Sequence, residues 1–437
     1  MFFKLLFDGF KLKEIRNRVF FTIFILFVFR LGAHITVPGV NALALKNINV
    51  PFLQVFNLVS GNALQTYSLF AMGVSPYITA SIVVQLLQMD ILPKFVEWSK
   101  QGEIGRRKLN QTTRYITLAL AFGQSIGITA AFQALAQAKV VTNPTWQTYI
   151  MIGILLTTGS MIVTWMGEQI NDKGWGSGVS LIIFAGIVSS IPSAVDEVRV
   201  AWFENVRPDQ ITQGWINTGV LIVAAILIIF VSTWVQQAER KIPIQYTKLV
   251  QGAASSSYLP LRVNPAGVIP VIFASTISSA PQTILQFLKA ANVDAPWLVT
   301  LQEFFDYSNW KGMIVYAVLI VLFTFFYSFV QINPEKMSEQ LTQSGAYIPS
   351  IRPGKGTEKY ISGLLIRLAT VGSLFLGIIS IVPIMATSIW GLPKLVALGG
   401  TSLLIIIMTA IQGVQQLEGY MLKKKYVGFM DNPINEY

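Results

Sequence analysis

The sequence predicts an all-α polytopic membrane protein with ten transmembrane helices. Three observations lead there: 53% of the residues are apolar against 12% charged, ten separate stretches are apolar over the length of a span, and the basic residues crowd one side of them. A hydrocarbon core about 30 Å thick requires about 20 helical residues at about 1.5 Å each. Stretches 19–37, 69–91, 115–136, 149–170, 177–195, 214–236, 264–288, 312–332, 361–384 and 396–417 are long enough. With both termini on one face, that face holds 24 of the 32 Lys and Arg residues; the other holds seven, and Arg30 lies inside the first stretch. The positive-inside rule then puts both termini in the cytoplasm.

The net charge of +11 is an excess on the inner face, because Asp196, Glu197, Glu204, Asp209, Asp294, Glu303 and Asp306 balance the seven outer bases. An anionic inner leaflet accounts for that excess, and no basic cluster sits on a soluble fold that could read nucleic acid. The chain has no cysteine, so disulfides, thiolate nucleophiles and cysteine metal sites are excluded. The first apolar run follows Lys11, Lys13, Arg16 and Arg18, is too long for a signal core and lacks a small-residue cleavage site, so it is not read as a cleaved signal. Residues 2–15 alternate apolar residues with lysine and read as a short helix lying on the inner surface.

The elements follow in order. The first stretch carries Arg30, read as a packing partner, and His34, read as an interfacial residue near its outer end. Asn47 to Met89 holds no charge and is too long for one helix, yet Pro51, Asn57, Ser60, Gly61 and Asn62 break up its first half. Irregular backbone is costly in lipid, so about 57–68 is read as an element folded back into the protein from outside; an ordinary apolar outer loop is the alternative. In the second stretch Ile78, Ile82 and Gln85 share a face, surrounded by Ser75, Thr79, Ala80 and Ser81. The fifth repeats the device with Ile183 and Ile187, after Gly174, Gly176 and Gly178. The seventh carries Ser275, Thr276, Ser278 and Ser279, more hydroxyls than a lipid-facing helix needs. Such residues either allow close helix approach or line an aqueous path, and periodicity does not choose between these. Between the sixth and seventh stretches, and between the eighth and ninth, lie polar loops 237–263 and 333–360. Tyr246, Tyr258 and Tyr347 among Lys and Arg mark them as docking surfaces rather than linkers.

Missing chemistry narrows the function. Asp90, Glu168, Arg367 and Glu418 lie near span ends, where they reach the inner interface. A coupled small-solute carrier would keep ionisable groups at mid-membrane. Gly354-Lys355-Gly356-Thr357 fails the phosphate-loop pattern, and neither His-Glu-x-x-His nor Gly-x-Ser-x-Gly occurs. No catalytic, cofactor-binding or metal-binding set is expected. The protein is read as a non-enzyme whose transport energy comes from a partner.

Several long blocks give the chain a resemblance to a known family. They are Met72-Gly-Val-Ser-Pro-Tyr-Ile-Thr-Ala-Ser-Ile-Val-Val-Gln-Leu-Leu87, Trp165-Met-Gly-Glu-Gln-Ile-Asn-Asp-Lys-Gly-Trp-Gly-Ser-Gly-Val-Ser180, Gln237-Ala-Glu-Arg-Lys-Ile-Pro243, Pro260-Leu-Arg-Val-Asn-Pro-Ala-Gly-Val-Ile-Pro270, Asn333-Pro-Glu-Lys-Met337 and the stretch from Ser344 to Tyr360. In this order, and over essentially the whole chain, they resemble the SecY family, the central channel of the bacterial secretion translocon. The resemblance implies two pseudo-symmetric five-helix halves around a central pore. Residues 1–200 would form the first and 201–437, with loops 237–263 and 333–360, the second. It implies a pore ring of Ile78, Ile82, Ile183, Ile187, Ile272 and Ile405, and a plug over about 57–68 that includes Asn57, Ser60, Gly61, Asn62 and Leu64. An apolar ring dewets when empty yet yields to any passing side chain. The resemblance also implies a lateral gate between helices 2/3 and 7/8, for which Gln85, Gln124, Ser275 and Ser278 are candidates. The cytoplasmic loops would dock the SecA ATPase or a ribosome through Arg240, Lys248, Arg352 and Lys355. One departure stands out: Gly252-Ala-Ala-Ser255 lacks the basic residues often found after this glycine, which weakens charge-assisted docking by that loop. The implied activity is translocation of unfolded preproteins bearing signal sequences across the bacterial cytoplasmic membrane, with lateral release of membrane segments. SecE and SecG are the implied partner subunits.

Overall fold

Apolar runs whose backbone has no partner in lipid close their hydrogen bonds within one helix, and helices dominate the chain. The computed structural model describes residues 12–41, 60, 63–64, 66–89, 91–135, 140–204, 208–246, 257–290, 296–306, 309–390 and 399–430. Its helices are α1 (Lys13–Gly32), α2 (Ser75–Leu87), α3 (Pro93–Lys100), α4 (Gly102–Leu135), α5 (Trp146–Lys173), α6 (Gly178–Arg199), α7 (Pro208–Gln237) and α8 (Ile269–Ala290). They continue with α9 (Pro296–Phe305), α10 (Trp310–Gln331), α11 (Pro334–Gln343), α12 (Lys355–Trp390) and α13 (Gly399–Met430). A helix overlaps each of the ten expected stretches, with different ends. Among the described residues, six of the helices are long and apolar enough to cross a membrane.

The largest shortening is of α2, expected over 69–91 and observed over Ser75–Leu87. At about 1.5 Å per residue this helix is only about 20 Å long. Before it, Ala71, Gly73 and Ser75 donate main-chain bonds to Ser68, Phe70 and Met72, a run of tight turns that ends where Pro76 fits the first helical turn. Ser160 of α5 takes the Gly73 carbonyl at 3.0 Å and holds the turns in place.

The chain forms two compact units. The first comprises Met1–Glu197, Ser279–Leu298 and Ile405–Tyr437; the second comprises Val198–Ser278 and Val299–Leu404.

In the first unit α4 packs on α2 and α5. A core of Val37, Leu64, Tyr67, Ile128, Phe132, Ile152 and Leu156 closes one end of these helices. Tyr67 is fully buried, shares a hydrogen bond with the Thr129 hydroxyl, and meets the Phe132 ring edge-on at 5.9 Å. Main-chain bonds join the loops around this core. Val37 N–H donates to Tyr67 and Leu69 N–H to Ile35, while Asn41 N–H donates to Val140 and Thr142 N–H to Gly39. Polar backbone next to an apolar core is thereby satisfied. Across the opposite ends of α4 and α5, Arg114 and Glu168 form a two-pronged ion pair at 3.0 and 2.6 Å.

In the second unit α10 packs on α12, and Phe273 of α8 meets Phe323 and Tyr327 of α10 edge-on. The two expected polar loops do not remain loops. Strands β1 (Glu239–Tyr246), β2 (Ser257–Arg262) and β3 (Ala346–Tyr347) make an antiparallel sheet in the order β2-β1-β3. Ile242 and Ile244 alternate inward from β1 and join Leu261, Leu341, Ile348, Ile361 and Leu365 in a core of their own.

Candidate functional site

The six ring candidates lie on four helices. Ile78 and Ile82 stand one turn apart on α2 at 7% and 3% exposure, Ile183 and Ile187 one turn apart on α6 at 1% and 4%, and Ile405 on α13 at 8%. All five belong to the first unit, whereas Ile272 on α8, half-buried, belongs to the second. The start of α6 explains how its pair is placed. Asn171 at the end of α5 accepts the Gly178 N–H at 2.7 Å and caps α6. A Cβ on Gly178 would stand 1.8 Å from the Gly167 carbonyl oxygen, so only glycine lets α6 leave the turn this close to α5.

Of the expected inward segment, Asn57, Gly61 and Asn62 lie outside the described residues. Ser60 and Leu64 are described, and both are buried at 1% exposure. Leu64 belongs to the Tyr67 core, and Ser68 donates its hydroxyl and its N–H to the Ala63 carbonyl. The last residues of the segment are therefore fixed to the helical frame.

The gate candidates differ in their bonding. Gln85 donates its amide to Ser81 at 3.3 Å, and its carbonyl oxygen, like that of Gln124 on the neighbouring α4, is buried with no hydrogen-bond partner among the described residues. Ser275 returns its hydroxyl to the Ile272 carbonyl at 2.8 Å, the usual way a membrane helix hides such a group. Ser278, 1% exposed, has a hydroxyl with no partner among the described residues.

The docking candidates Arg240, Arg352 and Lys355 are all exposed, and Lys248 lies outside the described residues. Arg240 projects from the small sheet and Arg352 from the turn before α12, and Lys355 opens that helix. There Thr357 donates to the Arg352 carbonyl, Ser338 donates to the Gly354 carbonyl, and Tyr347 donates to Gln245 across β3 and β1. Lys241 lies 4.7 Å above the Tyr258 ring, so this basic face also carries aromatic surface. Sequence reasoning found the basic and aromatic residues but missed the sheet that presents them. The signal was the spacing of Ile242 and Ile244, interrupted by Pro243.

Comparison with known proteins points one way. A family model described as SecY matches residues 68–414. The protein translocase subunit SecY of Lactococcus lactis subsp. lactis (strain IL1403) is 71% identical over 436 residues, 99% of each chain. A solved structure of a protein-conducting channel shares 16% identity at a TM-score of 0.66, covering 94% of this chain and 93% of that one. Sec61 in the canine ribosome–channel complex from the endoplasmic reticulum gives a TM-score of 0.62 at 16% identity, with the same coverage of both chains. At 16% identity the two structural likenesses concern the fold.

Proposed function

The chain belongs to the SecY family, and on that premise we propose how its residues serve it as a protein-conducting channel. It is a multi-pass membrane protein and a translocase subunit, not an enzyme. In the proposed arrangement ten helices cross the bacterial cytoplasmic membrane with both termini inside. Two five-helix halves, residues 1–200 and 201–437, flank a pore narrowed by Ile78, Ile82, Ile183, Ile187, Ile272 and Ile405. Unfolded preproteins move outward through it. The segment around 57–68 closes it at rest. Signal sequences and membrane segments leave sideways past Gln85, Gln124, Ser275 and Ser278; the Gln85 and Gln124 carbonyl oxygens and the Ser278 hydroxyl, without partners among the described residues, are easily displaced by an apolar helix. SecE and SecG complete the channel, and SecA or a ribosome docks on the sheet that carries Arg240 and on the turn that carries Arg352.

The observation that supports this most is the burial of the isoleucine pairs on α2 and α6, which a closed apolar constriction requires. Such a waist grips no side chain and excludes ions when empty. The test is a photocrosslinking probe at Ile82 in the assembled translocon, with a secretory precursor stalled in transit. An adduct between precursor and channel is expected. A probe that captures only lipid or other parts of the channel overturns the reading.

A further inference from the structure

The short turn between α5 and α6 makes more long-range polar contacts than a connector needs. Trp175 donates its main-chain N–H to the Thr22 hydroxyl on α1 at 2.9 Å and its indole N–H to the Gly413 carbonyl on α13, also at 2.9 Å. Gly176 donates its N–H to the Gln416 side chain, and Arg18 donates to the Gly174 carbonyl at 3.3 Å. The Arg18 guanidinium also lies 5.1 Å over the Tyr420 ring. Ile15, Val19 and Leu417 form a buried cluster beside these bonds, with Trp175 and Tyr420 packed against it. A Cβ on Gly413 would stand 2.7 Å from Trp175 Cζ2, so the indole approaches α13 more closely than any other residue there would permit.

All of these residues lie in the first unit, and two of the joined helices carry ring candidates. On α13, Ile405 precedes Gly413 by eight residues, about 12 Å of helix. On α6, Ile183 and Ile187 follow Trp175 by eight and twelve residues. Helices transmit displacement at their ends as rigid rods, so the offset between Trp175 and Gly413 sets the offset between the isoleucines beyond them. Parting the two would leave a part-buried indole N–H without its acceptor.

We propose that Trp175 is a positioning residue for the channel: its indole bond to the Gly413 carbonyl latches α6 to α13 and holds the isoleucine constriction closed. The inference rests on the reading of those isoleucines as the pore ring. Opening the channel parts the latch, and a residue that cannot make the bond lowers the threshold for opening.

The experiment uses the full chain in its assembled translocon, in planar bilayers and in export assays. Trp175→Phe keeps an aromatic ring and removes the donor; Gly413→Ala forces the ring away. Each is expected to raise resting ion conductance roughly fivefold, the weight of one net hydrogen bond, and to admit precursors with defective signal sequences. Because both remove one contact, the double variant is expected to match the singles. Ile82→Gly serves as the control for the ring itself. If Ile82→Gly leaks while Trp175→Phe keeps wild-type conductance and selectivity, the latch is overturned and the ring stands. If Ile82→Gly is also silent, the ring reading fails first. A second measurement covers a variant that does not fold. The chain has no cysteine, so a Trp175→Cys, Gly413→Cys pair can be joined by a short reducible crosslinker without competing thiols in the same chain. Joined channels are expected to lose preprotein transport and recover it on reduction; transport through joined channels overturns the proposal.

Discussion

Ile82, at 3% exposure, is a residue whose chemistry and packing lead to different outcomes when it is changed. If it only filled a seam between helices, removing its methyls would loosen packing and lower the thermal midpoint. As part of a dewetted waist, its replacement by Asn introduces an amide that holds water in the constriction. Ile82→Asn and Ile187→Asn are therefore expected to raise resting conductance several-fold and to admit precursors with poor signal sequences, read by single-channel recording and export of such precursors. A lowered midpoint with unchanged conductance would assign both to plain core. Arg352 is a different case, because its side chain is exposed while its carbonyl is used by Thr357. Arg352→Glu leaves that main-chain bond in place and reverses only the charge offered to a partner. SecA-driven transport is expected to fall roughly tenfold or more, with membrane insertion and thermal midpoint unchanged. None of these residues announces its role by periodicity alone. An isoleucine pair one turn apart reads the same in a pore as in a core, and the reading of Ile82 and Ile187 as pore residues came from the family resemblance that the long sequence blocks carry.

Among elements, the long helices were legible because lipid leaves an apolar run of about 20 residues few other choices. Their ends were less so. α4 and α12 begin at Gly102 and Lys355, well before their apolar stretches, because nothing in the polar residues that precede the membrane interrupts helical bonding. The start of α2 was hidden, since it depends on a hydroxyl of α5, distant in sequence, that claims the Gly73 carbonyl. The sheet was hidden for a related reason. β1 buries only Ile242 and Ile244, too few for a visible alternation, and its partners β2 and β3 come from after a long connection and from the other loop. The core beneath it is built like that of a soluble domain, so its stability answers to ordinary cavity arithmetic. Ile361, fully buried there, is expected to cost about 2–5 kcal/mol when changed to Ala. The readout is faster protease cleavage within 238–262, accompanied by loss of SecA-driven transport, since Arg240 and Arg352 are held by the same core. Cleavage without loss of transport would separate the sheet from docking.

For the molecule as a whole, the question is where a fixed channel ends and its displaceable closure begins. The expected plug, 57–68, straddles that border. From Ala63 onward the described residues are anchored: Leu64 and Tyr67 are core residues, Tyr67 is bonded to Thr129, and main-chain bonds join Ala63 to Ser68, Leu64 to Tyr67, Tyr67 to Val37 and Leu69 to Ile35. Moving these residues would expose buried rings and break several main-chain bonds at once, which a resting closure cannot afford each time a preprotein passes. A closure displaced by each preprotein therefore has to exclude the residues from Ala63 onward. Two deletions separate the possibilities. Removing 57–62 is expected to leave the protein folded at wild-type level and to raise bilayer conductance at rest, because it takes away the proposed closure and leaves Leu64 and Tyr67 in place. Removing 57–68 also takes Leu64 and Tyr67, and is expected to lower both the yield of folded protein and its thermal midpoint. Should the shorter deletion leave conductance unchanged in a folded channel, the segment is an ordinary loop and closure must rest on the isoleucines alone.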